Sequence, residues 1–263
     1  MIQEDFTNIF ISLMTGLAQY KNKKEVKCRN KDLGDFTTEF INNSPKKAIV
    51  RLYFPNGKKQ SEKNYKNGKL HGQSITWHIN GKKETQRKYY NGEENGRAIG
   101  WYYNGQKQVE ENYVNGKLCG KKIQWLENGK KSALQYFKND KLNGKWTEWW
   151  FNGKKMSEEF YKNGKRHGLS IDYHENGRKL CVYLYKNGKR HGKYTYWNIC
   201  GVKEREYIFK HDEIDGLACG WHPNGQKSFE KNYKNGAPEG ICIIYSKNGY
   251  ITEKATYVNG KKI

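Results

Sequence analysis

Apolar residues are scarce in this chain. Of its 263 residues 35% are hydrophobic, and the mean hydropathy is -1.09, which excludes a globule built around one thick aliphatic core. The apolar stretch near the N-terminus, "NIFISLMTGLAQ", is short and interrupted by polar residues. It follows Glu4 and Asp5 rather than a basic segment, so neither a signal peptide nor a membrane span is expected from it. Acidic residues are few beside basic ones, 27 against 49, and the formal net charge is +22. Residues 1–48 hold eight basic and six acidic residues, so almost all of the excess lies beyond them. Such a field draws in anionic partners without naming one. The cysteines stand at 28, 119, 181, 200, 219 and 242, with no CxxC and no His/Cys cluster at zinc spacing. That excludes a disulfide framework or structural zinc site and points to free thiols in a reducing, cytoplasmic setting.

What the chain does have is repetition. Gly72, Gly96, Gly120, Gly144, Gly168, Gly192, Gly216 and Gly240 are spaced by 24 residues without a slip. A second column runs from Gly57 to Gly249 at the same period. A third runs from Gly68 to Gly260, with Asp140 and Asp212 in its two gaps. Together the three columns hold 24 of the 28 glycines and define nine units over residues 49–263.

Each unit reads as two short strands. In residues 145–168 the run Trp146–Phe151 leads into Asn152-Gly153, and Lys155–Tyr161 leads into Asn163-Gly164. Asn-Gly between extended runs signals a two-residue hairpin of type I′, in which both central residues take positive φ. The third glycine, Gly168 here, suits a bulge. Two columns are aromatic in every unit, Tyr53 through Tyr245 (mostly Trp) and Tyr65 through Tyr257 (mostly Tyr). They are expected to stack into one apolar stripe that a single unit could not bury alone. The fold class is therefore all-β, an elongated, curved antiparallel meander of nine 24-residue hairpin repeats. Residues 1–48 lack the repeat. Phe6, Ile9, Phe10, Leu13, Met14 and Leu17 follow helical spacing, so this segment is expected to be a short α-helical cap on the first strand.

The stretch "YKNGKLHGQSITWHINGKK" (65–83) and its echoes resemble the MORN-variant repeat, over about four-fifths of the chain. The resemblance implies an elongated β ribbon serving as a scaffold or protein-interaction surface. Some relatives are linked to phospholipid binding or dimerisation, and some bacterial ones are labelled antitoxins, which implies a stoichiometric protein partner. It identifies no catalytic residue.

Two series are candidates for partner binding. Lys59, Lys83, Lys107, Lys131, Lys155, Lys179, Lys203 and Lys227 form a ladder after the first turn, reinforced by Lys58, Lys82, Lys130, Lys154 and Arg178. The ladder either solubilises the hairpin ends or meets an acidic partner. A second series, Phe54, His78, Tyr102, Leu126, Trp150, His174 and His222, reads as exposed, with Tyr102 and Trp150 the strongest anchor candidates. Ser170, Asp172 and His174 do not make a triad on one strand, and His71, His167 and His191 make a poor metal site at one per unit. The expectation is a non-enzymatic basic scaffold, without cofactor or metal. Its partner would be an acidic protein or nucleoprotein that it assists or neutralises. Direct nucleic-acid binding through the ladder is the alternative, and anionic phospholipid the third. Association of two copies through Ile251–Val258 stays open, and membrane association is not favoured.

Overall fold

The computed structural model describes residues 25–30, 34–40 and 47–263, which fall into two compact units meeting in sequence at Gly129 and Lys130. All the regular structure among the described residues is antiparallel β. In the first unit Glu25–Asn30 pairs with Gly34–Phe40, which pairs with Lys47–Tyr53 at the head of the repeats. The meander then runs through Lys59–Lys66, Lys69–Trp77, Lys83–Tyr90, Gly96–Trp101, Lys107–Val114 and Gly120–Trp125. The second unit repeats the pattern from Lys131–Lys138 to Ile251–Val258. The helix expected around Phe6–Leu17 lies outside the described residues. What covers the first repeat strand here is a strand, with Phe36 opposite Leu52 and Glu39 opposite Ile49.

The two Asn-Gly sites of a unit are not alike. At Asn163-Gly164 φ is 52° and 80°, positive at both residues, so Lys162 and Lys165 face each other across a two-residue type I′ loop. At Asn152-Gly153 only the glycine is positive, at 88°. There the Gly153 N–H donates to the Trp150 carbonyl and the Trp150 N–H to the Lys154 carbonyl, both at 2.8 Å. That is a three-residue loop, a type I turn closed by a left-handed glycine, and it corrects the type I′ expectation for this column. The asparagine serves differently too. Its Oδ1 accepts from the Lys154 N–H at 2.9 Å, and its Nδ2 donates to the Glu175 carbonyl of the following hairpin at 3.0 Å. The same Nδ2 bond recurs from Asn80, Asn104, Asn176 and Asn224. The third glycine does form the expected bulge, which divides Lys165–Arg166 from Gly168–Tyr173.

Each unit is a single layer, so burial comes from neighbouring side chains lying over small ones. The most enclosed residues include Ser170 at 1% exposure and Ala218 at 0%, with Ala98, Ala133, Ser157 and Cys181 also buried. The aromatic columns are half-buried, and they do not share a stripe. Alternation along Lys155–Lys162 and the pairing of Thr147 with Glu158 set Trp149 and Phe160 on one face and Tyr161 on the other. The face carrying Trp149 is called the tryptophan face below. On the tyrosine face of the second unit Tyr183, Tyr194 and Tyr207 stack in sequence, with centroids 5.7 and 5.8 Å apart. Each such ring pair is worth about 1 kcal/mol beyond its buried area.

Candidate interaction surfaces

The lysine ladder is engaged inside the chain. Lys59, Lys107, Lys155, Lys203 and Lys227 each pair with the glutamate three residues on, and Lys83 bonds Gln86 at 2.8 Å. Several also lie over the tryptophan of the next hairpin, from 5.7 Å for Lys83 on Trp101 to 3.9 Å for Lys203 on Trp221. Lys131 and Lys179 have Leu134 and Val182 at the glutamate position, and neither forms an ion pair among the described residues. The pairing shows in the carboxylates. Burial alone would raise Glu158, but hydrogen bonds from Lys145, Lys155 and Tyr173 prevail and bring it down to about 2. Arg97 and Lys107 likewise hold Glu110 below its ordinary range, against burial. The reinforcing lysines close turns: Lys58, Lys82 and Lys154 donate to the carbonyls of Asn80, Asn104 and Asn176.

The series containing Tyr102 and Trp150 is half-buried and structural. The Tyr102 hydroxyl donates to the Trp125 carbonyl at 2.8 Å, and Trp150 Nε1 to that of Tyr173 at 3.3 Å. His174 and His222 reach Trp197 and Tyr245 in the same way through Nε2, at 3.0 and 2.9 Å. Residues as different as His, Tyr and Trp fill this position because each carries one N–H or O–H at the tip of a flat ring. Two histidines of the other column are turn acceptors: His71 and His167 receive the N–H of Asn91 and Asn187. Ser170, Asp172 and His174 serve separately. Ser170 is enclosed, Asp172 accepts from Tyr183 and Cys181, and His174 holds the Trp197 carbonyl.

The surface that sequence reasoning missed lies on the tryptophan face of the second unit. Tyr136, Phe160, Leu169, Leu184, Ile208, Leu217 and Ile241 are all 38 to 47% exposed there. Leu169 is opposite Leu184, Lys145 opposite Phe160 and Lys193 opposite Ile208, so they form one row crossing the strands. Bulge glycines make room beneath it, and a Cβ on Gly192 would come within 3.3 Å of Leu184. Two residues further along the same strands, and so on the same face, stand Lys138, Lys162, Lys186, Lys210 and Lys234. All five are exposed, and none forms an ion pair among the described residues. The first unit has Ile49, Asn64, Gln73, Lys88, Arg97, Asn112 and Lys121 in the row positions, so beyond Ile49 its corresponding surface is polar.

A family model described as MORN repeat variant matches residues 47–67, 94–115, 142–163 and 214–235. The match to the MORN repeat variant covers about a third of the chain. No curated protein matches the chain. Among solved structures it is similar to a porin-like protein from Bacteroides uniformis, at 10% identity over 88% of this chain and 92% of that one. The TM-score is 0.18, too low to bear on the fold.

Between the MORN-variant segments the same turns recur at the same period, as at Asn187-Gly188 and Asn198-Gly201. Glycines, turn asparagines and the two aromatic columns are common to matched and unmatched stretches. The exposed row is not. Within the matched segments its positions hold Ile49 and Asn64 in 47–67, Arg97 and Asn112 in 94–115, Lys145 and Phe160 in 142–163, and Leu217 and Asn232 in 214–235. The apolar surface is thus a property of particular repeats rather than of the motif.

Proposed function

We propose that this protein is a non-enzymatic basic repeat scaffold that docks an acidic macromolecular partner, a protein or nucleoprotein. The docking surface is the face bearing Phe160 and Lys162. The observation that carries this reading is a set of like-charged pairs across successive hairpins: Lys138 opposite Lys141, Lys162 opposite Lys165 and Lys186 opposite Lys189. Lysine directly opposite lysine costs stability, and a hairpin end needs only mixed charge to be soluble. The next hairpin accepts such a mixture, Lys210 opposite Glu213. Retaining three repulsive pairs beside an exposed apolar row makes sense when a partner's carboxylates neutralise them. The role is stoichiometric, as accessory factor or neutraliser.

The test is capture of partners from host extract by the full-length protein and by its Lys162→Gln/Lys186→Gln/Lys210→Gln variant. A stoichiometric acidic protein held by the former and lost by the latter supports the reading. Equal retention by the variant, or no stoichiometric protein, overturns it. The same lysine row favours direct, sequence-independent nucleic-acid binding as a second reading. Binding of bare DNA or RNA with a steep salt dependence would replace the first reading with this one. The tyrosine stack lends it no help, because rings lying against one another offer fewer open faces to a base.

A further inference from the structure

We infer that the occupant of the row from Phe160 to Ile241 is an amphipathic helix of the partner, lying across the strands with acidic residues along the flank that meets Lys162, Lys186, Lys210 and Lys234. This rests on the proposed scaffold reading and specifies what it holds. Three features of the surface select a helix.

The first is backbone satisfaction. Strands under the row are hydrogen-bonded on both sides, as Lys179–Lys186 is to Gly168–Tyr173 and to Gly192–Trp197. They leave no free ladder for an added strand. An extended segment laid on this face would carry its own N–H and C=O groups into an apolar contact unpaired. A helix brings its backbone already satisfied and presents apolar side chains at every third and fourth residue.

The second is spacing. Strands lie about 4.8 Å apart, so the seven steps from Phe160 to Ile241 span about 34 Å, the length of a helix of about 22 residues. Lysines recur once per two strands, about 9.6 Å, and a helix presents the same face every seven residues, about 10.5 Å. A carboxylate once per heptad therefore keeps pace with successive lysines over three repeats.

The third is relief. At 38 to 47% exposure these side chains lie level with the sheet, and the row is interrupted by Lys145, Lys193 and Asn232. A bilayer is better served by projecting groups such as Phe151 at 72%, which stands at a turn outside this row. A second copy of the chain would bring another +22 of like charge.

The experiment uses the full-length protein and a fluorescent 21-residue helix with leucine at heptad positions a, d and e and glutamate along one flank. Controls are a scrambled peptide of the same composition and a version with lysine in place of glutamate. The acidic helix should bind and the controls should not. Leu184→Glu/Ile208→Glu should weaken binding about 30-fold or more, and Lys162→Gln/Lys186→Gln/Lys210→Gln about tenfold with a flatter salt dependence. The Asn64→Ala/Asn112→Ala variant, altered at the matching positions of the first unit, should leave binding unchanged. Circular dichroism melts verify that each variant is folded. Equal binding of the scrambled peptide, or indifference to Leu184→Glu/Ile208→Glu, overturns the inference. So does phosphatidylglycerol-vesicle binding, or dimerisation in sedimentation, that is abolished by that variant. If a host protein is captured through the lysine row while the acidic helix fails to bind, the scaffold reading stands and the helical occupant falls.

Discussion

Glu158 is where the packing of this single-layer sheet meets its electrostatics most directly. Its side chain is 11% exposed, and its carboxylate receives Lys145 Nζ at 2.5 Å, Lys155 Nζ at 2.7 Å and the Tyr173 hydroxyl at 2.9 Å. Burial pushes the group up, the three donors pull harder, and it settles at about 2 instead of its ordinary 4.5. A depression of about 2.5 pH units corresponds to about 3 kcal/mol favouring the folded state when the group is ionised. Because the side chains of Lys145 and Lys155 are 40 and 47% exposed, water screens part of this, leaving about 1–2 kcal/mol. A folded-state value below the unfolded one means the stabilisation is complete above pH 4.5 and is lost as pH falls from there to about 2. Glu158→Gln should therefore lower stability by about 1–2 kcal/mol at pH 6, with the gap from wild type closing by about pH 2. Urea titrations of both proteins across that range measure the gap, and carboxyl-carbon NMR reads the titration itself. A gap that does not change with pH, or a carboxyl that titrates near 4.5, refutes the reasoning.

Three further outcomes follow from the geometry. Gly153→Ala forces a Cβ onto a φ of 88° and should cost about 1–2 kcal/mol in chemical denaturation, whereas Asn163→Gly, at a φ of 52°, should stay within about 0.5 kcal/mol. Neutralising Lys59, Lys107 and Lys155 to Gln should lower the melting temperature without weakening partner binding, since these side chains are held by Glu62, Glu110 and Glu158. Lys162, Lys186 and Lys210 should behave in the opposite way, and a shared phenotype would mean the two rows are not distinct. In protein carrying Cys28→Ser, native thiol titration at pH 8 should modify exposed Cys200 first and Cys181 last. Burial and the neighbouring Asp172 carboxylate drive the Cys181 thiol far up, and early modification of Cys181 would contradict that packing.

The frame was legible in the sequence because it depends on features that repeat: a glycine or asparagine at nearly every positive φ described, with Asp140, His211 and Asp212 at the others, and alternation at period two. What the dipeptide could not reveal is loop length. Asn152-Gly153 and Asn163-Gly164 read identically, yet the first sits in a three-residue loop because Asn152 bonds the following hairpin instead of taking positive φ. The aromatic columns were found, but their partition between faces follows from strand register, with Thr147 opposite Glu158, which column spacing does not reveal; the bulge where Trp149 meets Lys155 shifts only the ladder lysine. The ladder was found as well, but not its pairing with glutamates inside the chain. The glutamate three residues after Lys107 or Lys155 is visible in the sequence, but that the two share one face depends on that bulge.

On the proposed reading, regularity is the weaker guide to a binding surface. A side chain kept at every period is what the frame needs: the turn asparagine ties its hairpin to the next, and the ladder lysine holds a carboxylate and often a ring. A position free of such duties is at liberty to differ between repeats, and Lys88, Phe160, Leu184 and Ile208 are one such position. Leucine or phenylalanine there gains less from the sheet than an enclosed side chain would, since about 40% of each side chain stays in water. Lysine opposite lysine at the adjoining hairpin ends works against it. Two local disadvantages recurring side by side in the same unit point to a compensation from outside the chain, which is why the departures from the repeat, rather than the repeat, mark where a partner should be sought.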